Sequence, residues 1–397
     1  MADKLPPEDA KVSKPSSSRI SSTIEKKLLA TACGDVPGKG PESLVIFGAK
    51  KNSAGDYLKI GELAYKHWQI VCQNVGRRRR QKFYCLQVSR IGCFGDAQVY
   101  QAINDDLKIS AIVRACKQNV VRNSVYYEGY AMRKFSNADS EISRPLRLCT
   151  AIYPFLGKTP HCPMYYGSAI FHDCYITIVE PLGPDLHRLR CEMQSRSFTD
   201  HTAVNLAVQC IRALQDLHNV GLTHRRISGK CFALSMSPKQ KGTLFLTDLG
   251  FVRPYRHPNG GHRSCRGTIR FYGHIRYASI YAHSRQDLSR RDDLWSLFYL
   301  IYEIMNGFLP WEMFIDEPTV HAMKNRLLLK GLCVNMPSGL DSYAKCVEAM
   351  DFTADPNYSL LIECIEQIAA PCKEAHDFCG FDWEKYDTTI TQKHYYC

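Results

Sequence analysis

The pattern of hydrophobic and polar residues in the first half of the chain is mostly that of short strands. The segments "FYCLQVSRIG", "AQVYQAIN" and "ISAIVRAC" are rich in β-branched and aromatic residues and are separated by short turns. They predict three antiparallel strands. "VVRNSVYYEGYAMRKF" predicts a helix, and "CYITIVEPLG" predicts a further buried strand. We therefore expect this part of the chain to form a β-sheet with one helix.

Near residue 200 the spacing of the hydrophobic residues changes to the period of a helix. In residues 200–221 the apolar positions form a single stripe, with Asp200 as the expected N-cap and Gly221 as the expected end of the helix. Residues 222–253 return to short apolar runs bounded by turn residues, which predict further short strands. The second half of the chain thus opens with a long helix followed by strands.

A basic, glycine-rich loop at residues 255–275 is followed by a helical pattern that continues to about residue 375. The most apolar part, "LWSLFYLIYEIMNGFLPW" (294–311), contains Glu303 and Asn306. It predicts a buried helix rather than a membrane span. With a hinge near residues 180–184, the whole pattern favours an α+β chain that has a β-rich N-lobe and an α-helical C-lobe.

The two ends of the chain differ from this central region. Residues 1–56 are rich in Pro, Ser, Lys and Gly and show no hydrophobic period, so ordering them would cost more entropy than burial returns. We predict a disordered basic tail there. Residues 57–82 are apolar enough for an extension with an extra helix or a pair of strands, and residues 387–397 form a C-terminal tail. The main domain is expected at residues 83–386.

The chain is basic, with a formal net charge of +12. The first 80 residues contain 15 Lys and Arg against 8 Asp and Glu, and the run "GRRRRQKF" spans residues 76–83. This run could contact nucleic acid, acidic lipid or an acidic protein, and we interpret it as a solvated stretch because no base-reading module accompanies it. The amino terminus contains no apolar signal-peptide core, which predicts a cytoplasmic or nuclear protein.

Eighteen cysteines are spread through apolar and helical stretches rather than concentrated in a short scaffold. This distribution predicts reduced thiols. Cys85, Cys93, Cys231 and Cys265 have no cysteine or histidine at ligand spacing, so we expect small apolar side chains rather than a zinc site.

Several motifs resemble those of protein kinases of the casein kinase 1 superfamily, and of its tau-tubulin kinase branch in particular. In chain order they are "PLGPDLHRL", "LTHRRI", "FLTDLGFVRPY", "IRYASIYAHSRQDLSRRDDLWSLFYLIYEIMNGFLPWE" and "FDWEK". Several motifs in the right order are far more specific than one match. The resemblance implies a bilobal protein-kinase-like fold, with the N-lobe at residues 83–180 and the C-lobe at residues 185–386.

Phosphoryl transfer depends on placed charges: a glycine loop over the phosphates, a strand lysine held by a helix glutamate, two metal ligands and a proton-accepting carboxylate. The resemblance places the glycine loop at "IGCFGDAQVY", where Gly92 and Gly95 are the candidate nucleotide contacts. Phe94 and Ala97 take the places of the second and third glycines. These side chains are expected to crowd the approach of backbone amides to phosphates.

Val113 occupies the position that the resemblance assigns to the strand lysine, and Glu128 matches the helix glutamate. An aliphatic side chain pairs with neither phosphate nor carboxylate. Arg114 is next in sequence, but alternation along a strand points it to the opposite face unless the register bulges. Compensation by Arg114 or Lys117 stays open. Glu128 then either pairs with another cation or is a solvated helix carboxylate.

The catalytic loop of the family follows the pattern H-R-D-x-K-x-x-N. Here Arg226 stands at the position of the proton-accepting Asp, Ser228 at that of the Lys and Cys231 at that of the metal-binding Asn. A guanidinium does not accept a proton near neutral pH, and a thiol is a poor ligand for Mg²⁺. Asp248 of "DLG" is retained. It could hold a metal, and we favour an ion pair with Arg226 or Arg225 because an unpaired cation would carry a large desolvation penalty.

By resemblance, Val179 takes the gatekeeper position, and Glu180 and Leu182 belong to the hinge that would contact adenine. Pro181 removes one backbone donor there. We expect no cofactor, with binding of ATP and Mg²⁺ as the alternative.

Asp293 matches the acid that holds the catalytic-loop backbone in kinases. The residues that maintain the fold are kept while those of the chemistry are lost, so we expect a pseudokinase, with a weakly active Ser/Thr kinase or an ATP-binding protein without turnover as alternatives.

The segment that corresponds to the kinase activation segment is basic. Its arginines include Arg263, Arg266, Arg270 and Arg276. The resemblance implies that such a surface receives an acidic or phosphorylated protein partner, whereas the alternative is that the arginines are scattered over a solvated loop. We expect a monomer without a membrane span, and we do not expect nucleic acid as a partner.

Overall fold

The computed structural model describes residues 97–104, 110–119, 124–136, 160–171, 173–327, 332, 337–369 and 380–386, and the backbone of residues 63–65 and 68–73. The described residues divide into two compact units. The first contains those up to Arg133 and Met164–Pro181, and the second contains the others. The predicted strand at the start of the domain and the glycine-loop residues Gly92 and Gly95 lie outside the described residues.

The first unit is built on a six-stranded antiparallel sheet in the order β1-β2-β3-β4-β6-β5. Its strands are β1 (Leu63–Tyr65), β2 (Trp68–Gln73), β3 (Gln98–Asn104), β4 (Ser110–Lys117), β5 (Tyr165–Phe171) and β6 (Cys174–Val179). The antiparallel pairing predicted for β3 and β4 is confirmed, and the extension forms the strand pair β1–β2 rather than a helix.

Helix α1 (Ser124–Phe135) packs on one face of this sheet, as the sequence predicts. The Thr177 hydroxyl on β6 donates to the Val125 carbonyl at the start of the helix over 3.2 Å. A Cβ atom built on Gly129 would lie 3.0 Å from the Ser168 Cβ and the Thr177 Oγ1. A larger residue at Gly129 would therefore require these strand side chains to shift by a few tenths of an ångström.

The second unit is mainly helical, as predicted. Its helices are α2 (Leu186–Glu192), α3 (Asp200–Asn219), α4 (Ile280–His283), α5 (Arg290–Asn306), α6 (Glu317–Leu327), α7 (Ser338–Glu348), α8 (Tyr358–Glu366) and α9 (Asp382–Tyr386). Its strands are β7 (Leu182–Asp185), β8 (Leu222–Thr223), β9 (Phe232–Ser235), β10 (Leu244–Leu246) and β11 (Arg253–Pro254), in the sheets β10-β9-β7 and β11-β8.

Helix α3 begins one residue earlier than the sequence suggests. Its N-cap is Thr199 rather than Asp200, because the extended Thr199 places its hydroxyl 3.5 Å from the Thr202 amide. The same hydroxyl donates to Asp382 on α9 over 2.8 Å, so the cap also ties down the C-terminal helix. Gly221 follows the helix with a φ of +83°, a backbone conformation that glycine adopts without strain.

Helix α5 is the buried helix predicted from the longest apolar run. It begins with a capping box between Ser289 and Asp292 and ends at Asn306, where Gly307 adopts a φ of 87°. Residues 308–311, which the hydrophobic pattern had joined to the helix, lie in the following turn. None of the helices in the described ranges has an apolar stretch long enough to cross a bilayer.

Candidate functional site

Glu128 on α1 is paired, and its partner is Arg114. An Arg114 guanidinium nitrogen lies 2.5 Å from the Glu128 Oε1, and both side chains are buried. Arg114 is directly opposite Thr177 in the sheet register, and residues opposite one another project to the same face. That face is the one on which α1 packs. Of the two interpretations of Glu128, the structure shows the acid paired with another cation.

Val113 projects to the other face of the sheet. It is opposite Tyr100 and Ile178 and is fully buried in an apolar cluster with them. The expectation that Val113 occupies the position facing Glu128 is therefore wrong by one residue. Strand alternation gives that position to Arg114, with no bulge between β4 and β6, so a cation is kept where the sequence suggested an aliphatic side chain.

The residues with gatekeeper and hinge roles in the resemblance are all buried or half-buried. Val179 ends β6 opposite Ile112, on the same face as Arg114. The Glu180 carboxylate accepts a hydrogen bond from the Met164 amide over 2.5 Å, and burial raises the pKa of Glu180. Leu182 begins β7 in the second unit, where it pairs with Ser235. Val179 and Glu180 thus have their pairing and hydrogen-bond partners in the first unit, and Leu182 has its strand partner in the second.

Asp293 on α5 organises the loop that follows β8. Its carboxylate accepts hydrogen bonds from the backbone amides of His224 and Arg225, each over 2.7 Å, and lies 3.0 Å from the His218 Nε2. The His224 ring in turn lies 3.0 Å from the Thr247 carbonyl. Asp293 thus holds the loop backbone, as the resemblance implies. The His224 ring is buried and has a backbone carbonyl as its hydrogen-bond partner.

Arg226 and Asp248 form an ion pair, as the sequence predicts. An Arg226 guanidinium nitrogen lies 3.5 Å from the Asp248 Oδ2, and the guanidinium stacks over the Phe251 ring at 4.6 Å. Arg225 instead donates from Nε to the Phe251 carbonyl over 2.8 Å. Asp248 and Arg225 both have positive φ angles, 56° and 67°. Such backbone conformations are unfavourable for residues with side chains and are kept here by the surrounding contacts.

Cys231 and Ser228 lie beside this ion pair. The Cys231 thiol donates to the Arg226 carbonyl over 3.2 Å and lies 3.5 Å from the Ser228 hydroxyl. Burial, and then the charge of Asp248, raise the pKa of Cys231 to about 12. The thiol is therefore neutral at physiological pH and is no ligand for a hard cation.

These residues do not fit the Mg²⁺ site of a kinase. The carboxylate that would bind the metal is paired with a guanidinium, and the second ligand position holds a protonated thiol. Mg²⁺ requires oxygen ligands in near-octahedral geometry. Within the described ranges, no three His, Cys, Asp or Glu side chains come together as a metal site elsewhere.

The arginines of the basic loop are held by specific contacts rather than scattered. Asp287, 2% exposed, accepts hydrogen bonds from the Arg266 side chain over 2.8 and 3.0 Å and from the Arg266 amide over 3.1 Å. Arg253 donates to the same carboxylate over 3.1 Å. One buried acid therefore fixes both ends of the segment that carries Arg263.

The other three candidate arginines have different contacts. Arg276 pairs with Glu312 over 3.4 Å. Arg270 donates to the Tyr272 hydroxyl over 2.7 Å, and Arg263 donates to the Arg256 carbonyl over 3.1 Å. Of the four candidates, Arg266 and Arg270 are exposed and the other two are half-buried.

Three histidines of the second unit are held in the neutral form. Burial, followed by the charges of Arg226 and Arg276, lowers the pKa of His274 to about 3. Burial and Lys230 lower the pKa of His187 to about 4. Burial and Lys324 lower the pKa of His283 to about 3. In each case burial is the main cause and nearby basic side chains add to it, so a ring that would otherwise titrate near pH 6.5 stays neutral.

These histidines predict an acid-sensitive fold. Above pH 6.5 they are neutral in both states, whereas below it the unfolded chain takes up protons that the folded chain does not. Their stabilising contribution is thus full above pH 6.5 and is lost as the pH falls towards 3 to 4. Urea unfolding at pH 7.5 and 5.0 should show a lower midpoint at pH 5.0, and a smaller drop in a His274→Gln variant. A His257→Gln exchange in the exposed loop is the matched control, and equal drops in all three proteins would contradict the prediction.

Sequence reasoning left Arg114 open as a replacement for the strand lysine and missed Asp287. The register decides for Arg114, because its opposite residue Thr177 shares the face of α1. Asp287 carries no local signal, because its partners Arg253 and Arg266 are 34 and 21 residues away. Both required the pairing of segments that are distant in sequence.

Comparison with known proteins places this site in a family. No family model matches the chain. It is 30% identical over 259 residues to a serine/threonine-protein kinase of Caenorhabditis elegans, covering 63% of this chain and 67% of that protein. It is 30% identical to a probable serine/threonine-protein kinase of Dictyostelium discoideum, covering 60% of this chain and 48% of that protein. It is 27% identical to casein kinase I homolog 2 of Schizosaccharomyces pombe, covering 55% of this chain and 51% of that protein.

The chain spans about half the length of the Dictyostelium and fission yeast relatives and two thirds of the nematode kinase. The likeness agrees with the sheet-based and helical units and with the loop held by Asp293. The chain therefore belongs to the casein kinase 1-like serine/threonine-protein kinase superfamily.

Proposed function

We propose that this chain is a pseudokinase, a protein-binding scaffold or regulator related most closely to the tau-tubulin kinase branch. One observation carries the proposal: the guanidinium of Arg226, at the position of the proton acceptor, lies 3.5 Å from the Asp248 carboxylate. A guanidinium accepts no proton, and it holds the carboxylate that a metal would need.

The expected loss of activity is large. Removing the general base of an enzyme typically lowers the rate by about 10²- to 10⁴-fold. Here the base, the loop lysine and one metal ligand are replaced together by Arg226, Ser228 and Cys231. Because such groups act as a unit, their separate costs are not multiplied, but little phosphoryl transfer should remain.

A weakly active Ser/Thr kinase is the second candidate, and the Arg114–Glu128 pair favours it. This pair keeps a cation beside the helix glutamate, as phosphate binding in kinases requires. ATP binding without transfer is the intermediate case. Both alternatives predict that ATP binds and stabilises the chain. The pseudokinase proposal predicts no such stabilisation, since we infer that ATP and Mg²⁺ are not cofactors.

Transfer of labelled γ-phosphate to casein, with Mg²⁺ or Mn²⁺, separates these functions. We expect the wild type to give the same background as an Asp248→Asn variant, while casein kinase I homolog 2 of Schizosaccharomyces pombe serves as the positive control. Thermal unfolding should show no rise that depends on ATP concentration, with or without metal. Activity that disappears in Asp248→Asn would overturn the proposal, and a metal-dependent thermal shift without activity would favour ATP binding.

We further propose an acidic or phosphorylated protein as the partner and a monomeric chain in the cytoplasm or nucleus. The support is electrostatic. Residues 253–276, hereafter the basic segment, contain six arginines and no Asp or Glu, and Asp287 anchors the part of the segment from Arg253 to Arg266. A preordered cationic surface suits carboxylate or phosphate groups.

A further inference from the structure

The turn between α5 and α6 exposes an unusual amount of apolar surface. The described residues include six exposed large hydrophobic side chains, and four of them lie in residues 308–315, hereafter the apolar turn. These four are Phe308, Met313, Phe314 and Ile315, with Met313 88% and Ile315 83% exposed. Single exposed hydrophobic residues are ordinary, whereas a cluster marks a binding surface.

The apolar turn is held in place from within. Leu309 and Trp311 are buried, and the Trp311 indole donates to the Arg276 carbonyl over 2.8 Å. The amides of Glu312 and Phe314 donate to the carbonyls of Leu309 and Trp311 over 2.9 and 3.1 Å. The exposed side chains are therefore presented by an ordered turn, so a partner would meet a surface already formed.

The acidic groups of the turn and of the start of α6 are engaged within the chain. Glu312 pairs with Arg276, and Glu317 pairs with Arg285 over 2.9 Å. Asp316 accepts a hydrogen bond from the Thr319 amide over 2.9 Å at the start of α6. The Asp316 carboxylate keeps its charge beside Ile315, whereas the basic side chains belong to the basic segment, to which the turn is joined through both contacts of Arg276.

We propose that the apolar turn and the basic segment form one docking surface for a segment of another protein that combines large apolar side chains with Asp, Glu or phosphorylated residues. The apolar side chains of the partner would cover Met313 and Ile315, and its acidic groups would face the arginines. Met and aromatic residues are enriched in the buried cores of protein interfaces. This inference rests on the proposed scaffold function and specifies what the scaffold binds.

Charge selects this occupant over a second copy of the chain. Each copy has a net charge of +12, and its basic segment has six arginines and no acid, although Arg253, Arg266 and Arg276 are paired with Asp287 and Glu312 from outside the segment. Two such surfaces brought together would repel, whereas an acidic segment is attracted and steered towards the site.

A random peptide library displayed on phage, selected on the immobilised full chain, tests the proposal. Enriched peptides should contain large apolar residues close to Asp or Glu. A Met313→Ser/Ile315→Ser variant should bind the synthesised peptides about tenfold or more weakly, because loss of central apolar anchors has effects of this size. Leu360→Ser, which removes an exposed hydrophobic residue from α8, is the matched control and should bind as the wild type does.

Each other outcome contradicts the proposal. Enriched peptides without acidic residues, or none, would overturn it, as would a concentration-dependent dimer or binding to phosphatidylserine vesicles that the double variant abolishes. Acidic peptides that depend on Arg263 and Arg270 but not on Met313 and Ile315 would overturn the inference alone and leave the proposed acidic partner standing. The exposed positions of the double variant predict an unchanged unfolding midpoint, so a loss of binding will not reflect misfolding.

Discussion

Replacing Asp293 with alanine is expected to lower the free energy of unfolding by about 4 kcal/mol. The buried carboxylate accepts hydrogen bonds from the amides of His224 and Arg225, each over 2.7 Å, and lies 3.0 Å from the His218 Nε2. Each buried donor left without a partner typically costs about 1–3 kcal/mol. An Asp293→Asn variant keeps one oxygen acceptor and should lose about half as much. Urea unfolding followed by circular dichroism measures both.

The control for Asp293 is an acid on the surface. Asp341 on α7 pairs with Lys345 over 2.6 Å, but the Lys345 side chain is 67% exposed and the Asp341 side chain 32% exposed. Asp341→Ala should cost no more than about 0.5 kcal/mol, the usual contribution of such a pair on a helix. If the alanine variants of Asp293 and Asp341 had similar unfolding midpoints, Asp293 would not be what holds the loop.

Restoring the missing groups should restore phosphoryl transfer. In a variant with Arg226→Asp, Ser228→Lys and Cys231→Asn, a carboxylate can accept the hydroxyl proton, and Asp248 is freed from its ion pair. The amide oxygen at position 231 would add a ligand that Mg²⁺ accepts. We expect transfer to casein about 10²- to 10⁴-fold above the wild type, the usual contribution of a general base. Arg114 already supplies a cation beside Glu128.

The matched control adds Asp248→Asn to the triple variant and should return it to background. Since Cys231 is fully buried, the unfolding midpoint of each variant must be recorded with its activity. A folded triple variant that remains inactive would show that the loop substitutions alone do not explain the loss. The defect would then also involve groups outside this loop.

Residue chemistry was the most predictable part of the site. The resemblance to the loop pattern H-R-D-x-K-x-x-N placed Arg226, Ser228 and Cys231, and the ion pair to Asp248 followed from the cost of burying a lone cation. The helices were predictable for a similar reason, since a period of 3.6 residues is readable over many residues, as in α3 and α5.

Register and long-range contacts could not be predicted. A shift of one residue along β4 exchanges the faces of Val113 and Arg114, and no local pattern distinguishes the two assignments. The apolar turn was hidden for a different reason. In the sequence the first hydrophobic residues of the turn continue those of α5. The structure ends that helix at Asn306, leaves Leu309 and Trp311 buried, and exposes Phe308, Met313, Phe314 and Ile315.

The position of Asp287 has a consequence for control of the protein. A phosphoryl group that orders a loop can be attached and removed by other enzymes, whereas a carboxylate encoded in the chain is permanent. Because Asp287 binds Arg253 and Arg266 without any modification, the display of the arginines between them is constitutive. Cells would then adjust binding to this surface through the amount of the protein or through competition among its ligands.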